Sequence, residues 1–224
     1  MEKIKKLRLL ILTQYFWPEN FLINDLALYL TKKNIKVDVV TGYPNYPEGK
    51  IYKNFFRKKK KFSRLDKVNI YRVPTIPRKK NKFFLFLNYL SYCLFSSFFV
   101  IFILKKKYDI VFTYQISPIT VGLPSILLRT IKKVPHVMWV QDLWPDTVID
   151  LNIFKSKIIQ NLIRLISLKI YQNCDHIITQ SRMIEKKLNL YLKKKIPITT
   201  VRNWLEGNLN LKKSKLKILY PKKD

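Results

Sequence analysis

Two clusters of carboxylates, amides and aromatic rings are the residues of this chain best suited to act together on a ligand. The first, Gln14-Tyr-Phe-Trp-Pro-Glu-Asn-Phe-Leu-Ile-Asn-Asp25, follows directly on the apolar run at 7–13; the second, Asp142-Leu-Trp-Pro-Asp-Thr147, follows the apolar run at 137–141. Each puts a carboxylate beside tryptophan and proline at the exit of a buried strand, and open α/β sheets bind ligands at the carboxyl ends of their strands. Two such exits point to one shared cleft. Glu19, Asn20, Asn24 and Asp25 would face Asp142 and Asp146 across it, framed by Trp17, Tyr43, Tyr46, Trp139 and Trp144. Carboxylates accept hydrogen bonds from hydroxyls and bias them for attack, while indole and phenol faces stack on the apolar faces of sugar rings. That combination suits a carbohydrate. The plainer reading of Asp142 and Asp146 is helix capping and solvation, and Trp139, inside its strand, reads as core.

The elements that must position these residues alternate between strand-like and helix-like segments, the pattern of a parallel sheet covered on both faces. Strands are expected at 7–13, 37–41, 68–73, 109–114, 136–141, 175–180 and 198–202. The helix after the first strand carries Ile23, Leu26, Ala27 and Leu30 at the spacing of one buried stripe. Ser117-Pro118 is expected to cap a helix running to about 132, another helix spans 156–172, and Ser181 caps the one bearing Met183, Ile184, Leu188 and Tyr191. No internal repeat is visible.

Residues 83–104 stand apart, with seven phenylalanines, two tyrosines and no charge, and with lysines on both flanks. By length the segment reaches the roughly 20 apolar residues that a bilayer span needs. It occupies the helix slot between the third and fourth strands, however, and Asn88, Ser91, Ser96 and Ser97 interrupt it. A half-buried helix lying in the membrane interface is favoured over a true span or an ordinary core helix. Phe83, Phe84 and Phe86 would then dip into the interface, and Lys79, Lys80, Lys105 and Lys106 would hold an anionic leaflet.

The 224 residues carry 44 lysines and arginines against 14 acids, a formal charge of +30, spread as lysine clusters. Many fall where helices end, so a solvated surface and a real electrostatic role both remain open. No nucleic-acid-binding motif accompanies the charge, and no nucleic-acid partner is expected. Cys93 and Cys174 read as reduced core thiols, and with only His136 and His176 no metal site is expected. The only glycines are Gly42, Gly49, Gly122 and Gly207, which removes a dinucleotide fingerprint, a P-loop and a Gly-x-Ser-x-Gly elbow.

With Thr41-Gly-Tyr-Pro-Asn-Tyr-Pro-Glu-Gly-Lys50, Trp139-Val-Gln-Asp-Leu-Trp-Pro-Asp146, Ile178-Thr-Gln-Ser181 and Val201-Arg-Asn-Trp204 following the first cluster in order, the chain resembles the amino-terminal domain of glycosyltransferase family 4. The resemblance is strongest to bacterial O-antigen and capsule transferases, including N-acetylfucosamine transferases. It covers about residues 7–204, with Leu22 standing where that subfamily often has arginine.

The resemblance implies the amino-terminal half of a GT-B fold, a Rossmann-like α/β sheet with helices on both faces. It also implies a retaining transfer of sugar from a nucleotide diphosphate sugar, without cofactor or metal, onto a lipid-linked saccharide for cell-surface polysaccharide. By the same carry-over Asp142 orients the acceptor hydroxyl, Glu19 and Asn20 line the cleft near the transferred sugar, and Tyr46 touches the acceptor, with Asn24 beside them. The enzyme would sit in the cytoplasm on the inner face of the plasma membrane. Family members continue past this point into a nucleotide-binding domain with paired glutamates. Here 205–224 reads as a basic tail, so the donor half is expected from a missing domain or a partner chain, and the 224 residues alone are expected to be inactive. The alternative is a non-catalytic basic module that binds anionic membranes.

Overall fold

The computed structural model describes residues 6–79, 81–150 and 156–204. Eight strands form one sheet in the order β3-β4-β2-β1-β5-β6-β7-β8. They are β1 (Arg8–Leu12), β2 (Lys36–Gly42), β3 (Arg64–Leu65), β4 (Val68–Val73), β5 (Ile110–Gln115), β6 (His136–Val140), β7 (His176–Thr179) and β8 (Ile198–Thr200). All pairings are parallel except β3 with β4. The helices are α1 (Leu22–Lys32), α2 (Lys82–Phe98), α3 (Leu123–Lys132), α4 (Asp146–Asp150), α5 (Lys157–Gln172) and α6 (Arg182–Tyr191).

Alternation along the strands divides the core. Leu9 and Ile11 of β1 pack with Ile23 and Ala27 of α1, while Leu10 and Leu12 pack on the opposite face with Tyr92 and Val100 of the α2 segment and Leu128 of α3. A third cluster joins Met138 and Val140 of β6 to Ile170 and Tyr171 of α5 and Leu188 of α6. Period-two side chains on buried parallel strands produce such two-sided burial directly. Cys93 and Cys174 are both buried and unpaired.

Two expectations need correction. The helix expected from Ser117 begins later: Pro118 is extended, a 3₁₀ turn covers Ile119–Gly122, and α3 starts at Leu123 with Pro124 in its first turn. Ser117 does not cap α3 because the extended Pro118 and the 3₁₀ turn separate it from the first turn of the helix. The short strand β3 was not expected, since Arg64-Leu65 has no apolar run and is held only by its antiparallel turn onto β4. Ser181 does cap α6, accepting from the Ile184 N–H at 3.3 Å.

Helix α2 continues as one π-helical stretch, Phe99–Ile103. Phe83–Ile103 is long and apolar enough to cross a membrane by length and composition, and a third of it is buried inside the protein. Its inward side carries Asn88, Ser91, Tyr92, Ser96 and Val100, all at most 5% exposed. Asn88 Oδ1 accepts from Gln14 Nε2 at 2.6 Å, and the Tyr92 hydroxyl donates to the Val40 carbonyl at 3.2 Å. Buried polar groups of this kind need their partners, so the interrupting polar residues are the sheet-facing side of the helix. A helix inside a bilayer would leave these bonds unmade. The outward side is a stripe of Phe83, Phe86, Leu90, Leu94, Phe98 and Phe102, each more than 40% exposed.

Candidate active site

The chain runs from β1 outward to β2 and β4, then returns to β5 on the other side of β1. The switch point therefore lies between the carboxyl ends of β1 and β5, where such sheets form their ligand crevice. The loops after β1, β2, β4, β5 and β6 converge there. Gly42 permits the closest approach, because a Cβ at this position would meet Thr75 Cγ2 at 2.8 Å and the Gln14 carbonyl oxygen at 3.3 Å. Arg72 of β4 ties three loops together: its Nη1 donates to the Gly42 carbonyl at 3.0 Å, its Nε to the Phe62 carbonyl at 3.3 Å, and its Nη2 to the Trp17 carbonyl. Burial brings its guanidinium down to about 10.

Glu19 is the hidden centre of this frame. Its Oε1 accepts the Asn45 and Tyr46 N–H groups at 2.8 and 2.7 Å, and its Oε2 accepts the Phe16 N–H at 3.2 Å. It is 1% exposed, and burial pushes its carboxyl up to about 7 despite those bonds. Glu19 thus lies beneath the cleft and locks the β1 loop to the β2 loop, instead of lining the wall as expected from sequence. Asn24, also buried, does related work: its Oδ1 accepts the Trp17 N–H at 3.0 Å and its Nδ2 donates to the Glu19 carbonyl at 2.7 Å. Asn20 is exposed at the rim. Asp146 is engaged elsewhere, 2.6 Å from Lys187 Nζ and accepting the Tyr191 hydroxyl at 2.8 Å.

Asp142 differs from all of these. It is half-buried, accepts no hydrogen bond among the described residues, and burial alone raises its carboxyl above the ordinary carboxylate value. Across from it stands Tyr89 of α2, whose phenol is raised first by burial and also by the Asp142 charge, while Ser117 and Arg78 act in the opposite sense. The Arg78 guanidinium lies 5.2 Å from the centre of the Tyr46 ring. Tyr46 in turn packs on Tyr15 and Phe21, at centroid distances of 5.4 and 5.3 Å. The cleft therefore joins a carboxylate without a hydrogen-bond partner among the described residues, a cation stacked on an aromatic face, and phenols from three segments. A carboxylate whose pKa is raised is the better proton acceptor, and aromatic faces beside it suit a polyhydroxylated ring. Sequence reasoning missed Arg78 and Tyr89; Arg78 sits in an ordinary basic stretch, and Tyr89 inside an apolar run.

The residues expected from sequence to meet a membrane separate similarly. Phe83 and Phe86 are 62% and 55% exposed on the outward stripe of α2, whereas Phe84 is half-buried with Lys79 Nζ 3.8 Å from its ring centre. Lys105 is exposed. Lys106 is exposed as well, but its Nζ is paired with Asp38 Oδ2 at 2.9 Å. Lys80, like the basic tail at 205–224, lies outside the described residues. No group of three or more metal-ligating side chains occurs among the described residues.

Glycosyltransferase family 4 is matched over residues 21–206, well beyond half of the chain. This chain belongs to glycosyltransferase family 4. Solved structures show the same fold at low identity. Phytolacca americana UGT2, solved with UDP-2fluoro-glucose and pterostilbene, superposes with a TM-score of 0.57 at 10% identity, over 92% of this chain and 55% of that one. Sucrose-phosphate synthase of Thermosynechococcus elongatus gives 0.54 at 13% identity, over 89% and 90%. Medicago truncatula UGT71G1, solved with UDP-glucose, gives 0.52 at 11%, over 90% and 52%. The family 4 chain thus spans a little over half the length of the two plant enzymes. No functionally curated protein matches its sequence. The mostly parallel sheet with helices on both faces is the Rossmann-like unit of GT-B glycosyltransferases, as the sequence indicated.

Proposed function

We propose that residues 6–204 form the acceptor-side half of a retaining glycosyltransferase that moves a sugar from a nucleotide diphosphate sugar to a lipid-linked saccharide of cell-surface polysaccharide. The observation that carries this reading is the Asp142 carboxylate at the switch-point cleft, without a hydrogen-bond partner among the described residues and close enough to Tyr89 for its charge to act on that phenol. Asp142 accepts a hydrogen bond from the acceptor hydroxyl and turns its lone pair toward the anomeric carbon. The Tyr46 and Tyr89 rings bound the sugar, and Arg78 supplies positive charge for an anionic acceptor linkage. Glu19 and Asn24 hold the loops that carry Tyr46 and Trp17, so they act by positioning.

The donor belongs on a second Rossmann-like domain facing the cleft, in the same chain or in a partner. Plant enzymes of this fold, solved with sugar nucleotides, are nearly twice as long as the stretch matched here. The outward stripe of α2 and the lysines at its ends fit peripheral attachment to an anionic cytoplasmic membrane surface, where a lipid-borne acceptor would be met.

The test is Asp142→Asn in the complete transferase. It removes the charge while keeping the shape, and should lower kcat on the order of 100-fold or more, the contribution typical of a positioned proton acceptor. The alternative reading, a non-catalytic membrane module, uses α2 but gives Asp142 nothing to do. Undiminished transfer by Asp142→Asn would remove the catalytic assignment.

A further inference from the structure

At the end of the sheet opposite the cleft, the amino-terminal ends of β1 and β2 and the start of β4 border a second cavity of about 560 Å³. Lys6, Arg8, Lys36, Lys67 and Lys106 line it against one carboxylate, Asp38. That carboxylate is committed: Oδ1 accepts from Asn69 Nδ2 at 2.7 Å, and Oδ2 accepts from the Tyr108 hydroxyl at 2.7 Å and Lys106 Nζ at 2.9 Å. Burial works against its charge, yet those bonds hold it below the ordinary value. Asp38 therefore balances Lys106 and leaves four cations facing one space. Asp109, just before β5, uses Oδ2 to accept the Arg8 backbone N–H at 2.8 Å. Converging cations around one cavity favour an anion there.

The wall of the cavity leads into the apolar stripe of α2. Lys106 Nζ lies 5.3 Å from the Tyr71 ring centre, and Tyr71 packs on Phe99 at 5.5 Å. Phe98 and Phe102, paired at 5.1 Å, are 55% and 69% exposed on the outer side of the same turns. A free phosphate would use only the basic cavity. An oxyanion carrying acyl chains would use both surfaces, with the phosphate among the lysines and the chains along Phe98 and Phe102.

We propose that this cavity is a binding site for the phosphate headgroup of an anionic membrane lipid, separate from the acceptor cleft. The proposal rests on the membrane attachment read above. It adds a second fixed point, because α2 and its π-helical continuation run roughly 30 Å from the cleft end of the sheet to the cavity end. Holding both ends lays the helix lengthwise on the bilayer, with the cleft mouth at the membrane surface.

The test uses the protein with phosphatidylglycerol–phosphatidylcholine vesicles and with pure phosphatidylcholine vesicles, alongside calorimetric titration of glycerol phosphate. Wild type should bind the anionic vesicles. Lys36→Glu with Lys67→Glu should weaken that binding at least tenfold, each basic residue near an anionic surface contributing roughly fivefold. Lys193→Glu with Lys194→Glu, on exposed residues beyond α6 near the far edge of the sheet, should weaken it much less. Asp38→Asn should strengthen binding, a gain that misfolding would not give. If wild type binds neither vesicle, the attachment itself falls and the proposal with it. If the cavity pair and the remote pair weaken binding equally, or the cavity pair has no effect, the cavity assignment alone is overturned. Glycerol phosphate binding with vesicle affinity indifferent to Lys36 and Lys67 would overturn the lipid assignment in favour of a soluble phosphate.

Discussion

Substituting Glu19 tests how the cleft is built, because one buried carboxylate holds three backbone donors from two loops. Its pKa rises from 4.5 to about 7 in the folded protein. A folded-state pKa above the unfolded one means that the native state binds the proton more tightly between those two values. Glu19's contribution to stability is then most favourable below pH 4.5, falls as the pH rises toward 7, and is constant above. At 1.36 kcal/mol per pH unit, the interval amounts to about 3 kcal/mol. Glu19→Gln cannot titrate, and its amide oxygen can keep the Asn45 and Tyr46 N–H groups while losing that of Phe16. Urea unfolding of wild type and Glu19→Gln at pH 5 and pH 8 isolates the effect, since all other titrating groups are common to both. Wild type should lose about 2–3 kcal/mol more than the variant between these conditions. Glu19→Ala, which strands all three buried N–H groups, should cost several kcal/mol at either pH, at about 1–3 kcal/mol per orphaned donor. Equal pH dependence in wild type and Glu19→Gln would refute the buried-brace reasoning.

Asn88→Ala removes the amide that accepts from Gln14 Nε2 at 2.6 Å and donates to the Ile76 carbonyl at 2.5 Å. It should cost about 1–3 kcal/mol in chemical denaturation, mainly by leaving the buried Gln14 amide without its acceptor. Asp146→Asn, which disturbs only the link to Lys187 and Tyr191, should leave sugar transfer within a few-fold of wild type, in contrast to the large loss expected for Asp142→Asn.

Apolar runs made seven of the eight strands legible in the sequence, because a parallel strand buried on both faces has little choice of composition. The two-residue β3 has no such signature. The α2 segment was harder, since apolar content alone fits a span, an interfacial helix or a core helix. Asn88, Ser91, Tyr92 and Ser96 recur at three- and four-residue intervals, which marks one inward side, but their partners at Gln14 and Val40 lie far away in the chain. The carboxylates show the same limit. Glu19 and Asp142 look alike at strand exits, and only the approach of the Asn45-Tyr46 loop buries one, while the other has no hydrogen-bond partner among the described residues. Arg78 and Tyr89 join the cleft only because α2 leaves the β4 loop beside the β5 and β6 loops, a proximity no local pattern encodes.

The central claim is that the cleft between the β1, β5 and β6 loops receives a lipid-linked saccharide, and photo-crosslinking with a diazirine-bearing polyprenyl-diphosphate saccharide in anionic vesicles tests it most directly. Labels on the segments holding Tyr46, Tyr89 and Asp142, competed away by unlabelled acceptor, are the predicted result. Competable labelling confined to other surfaces, with these three segments clean, would contradict it.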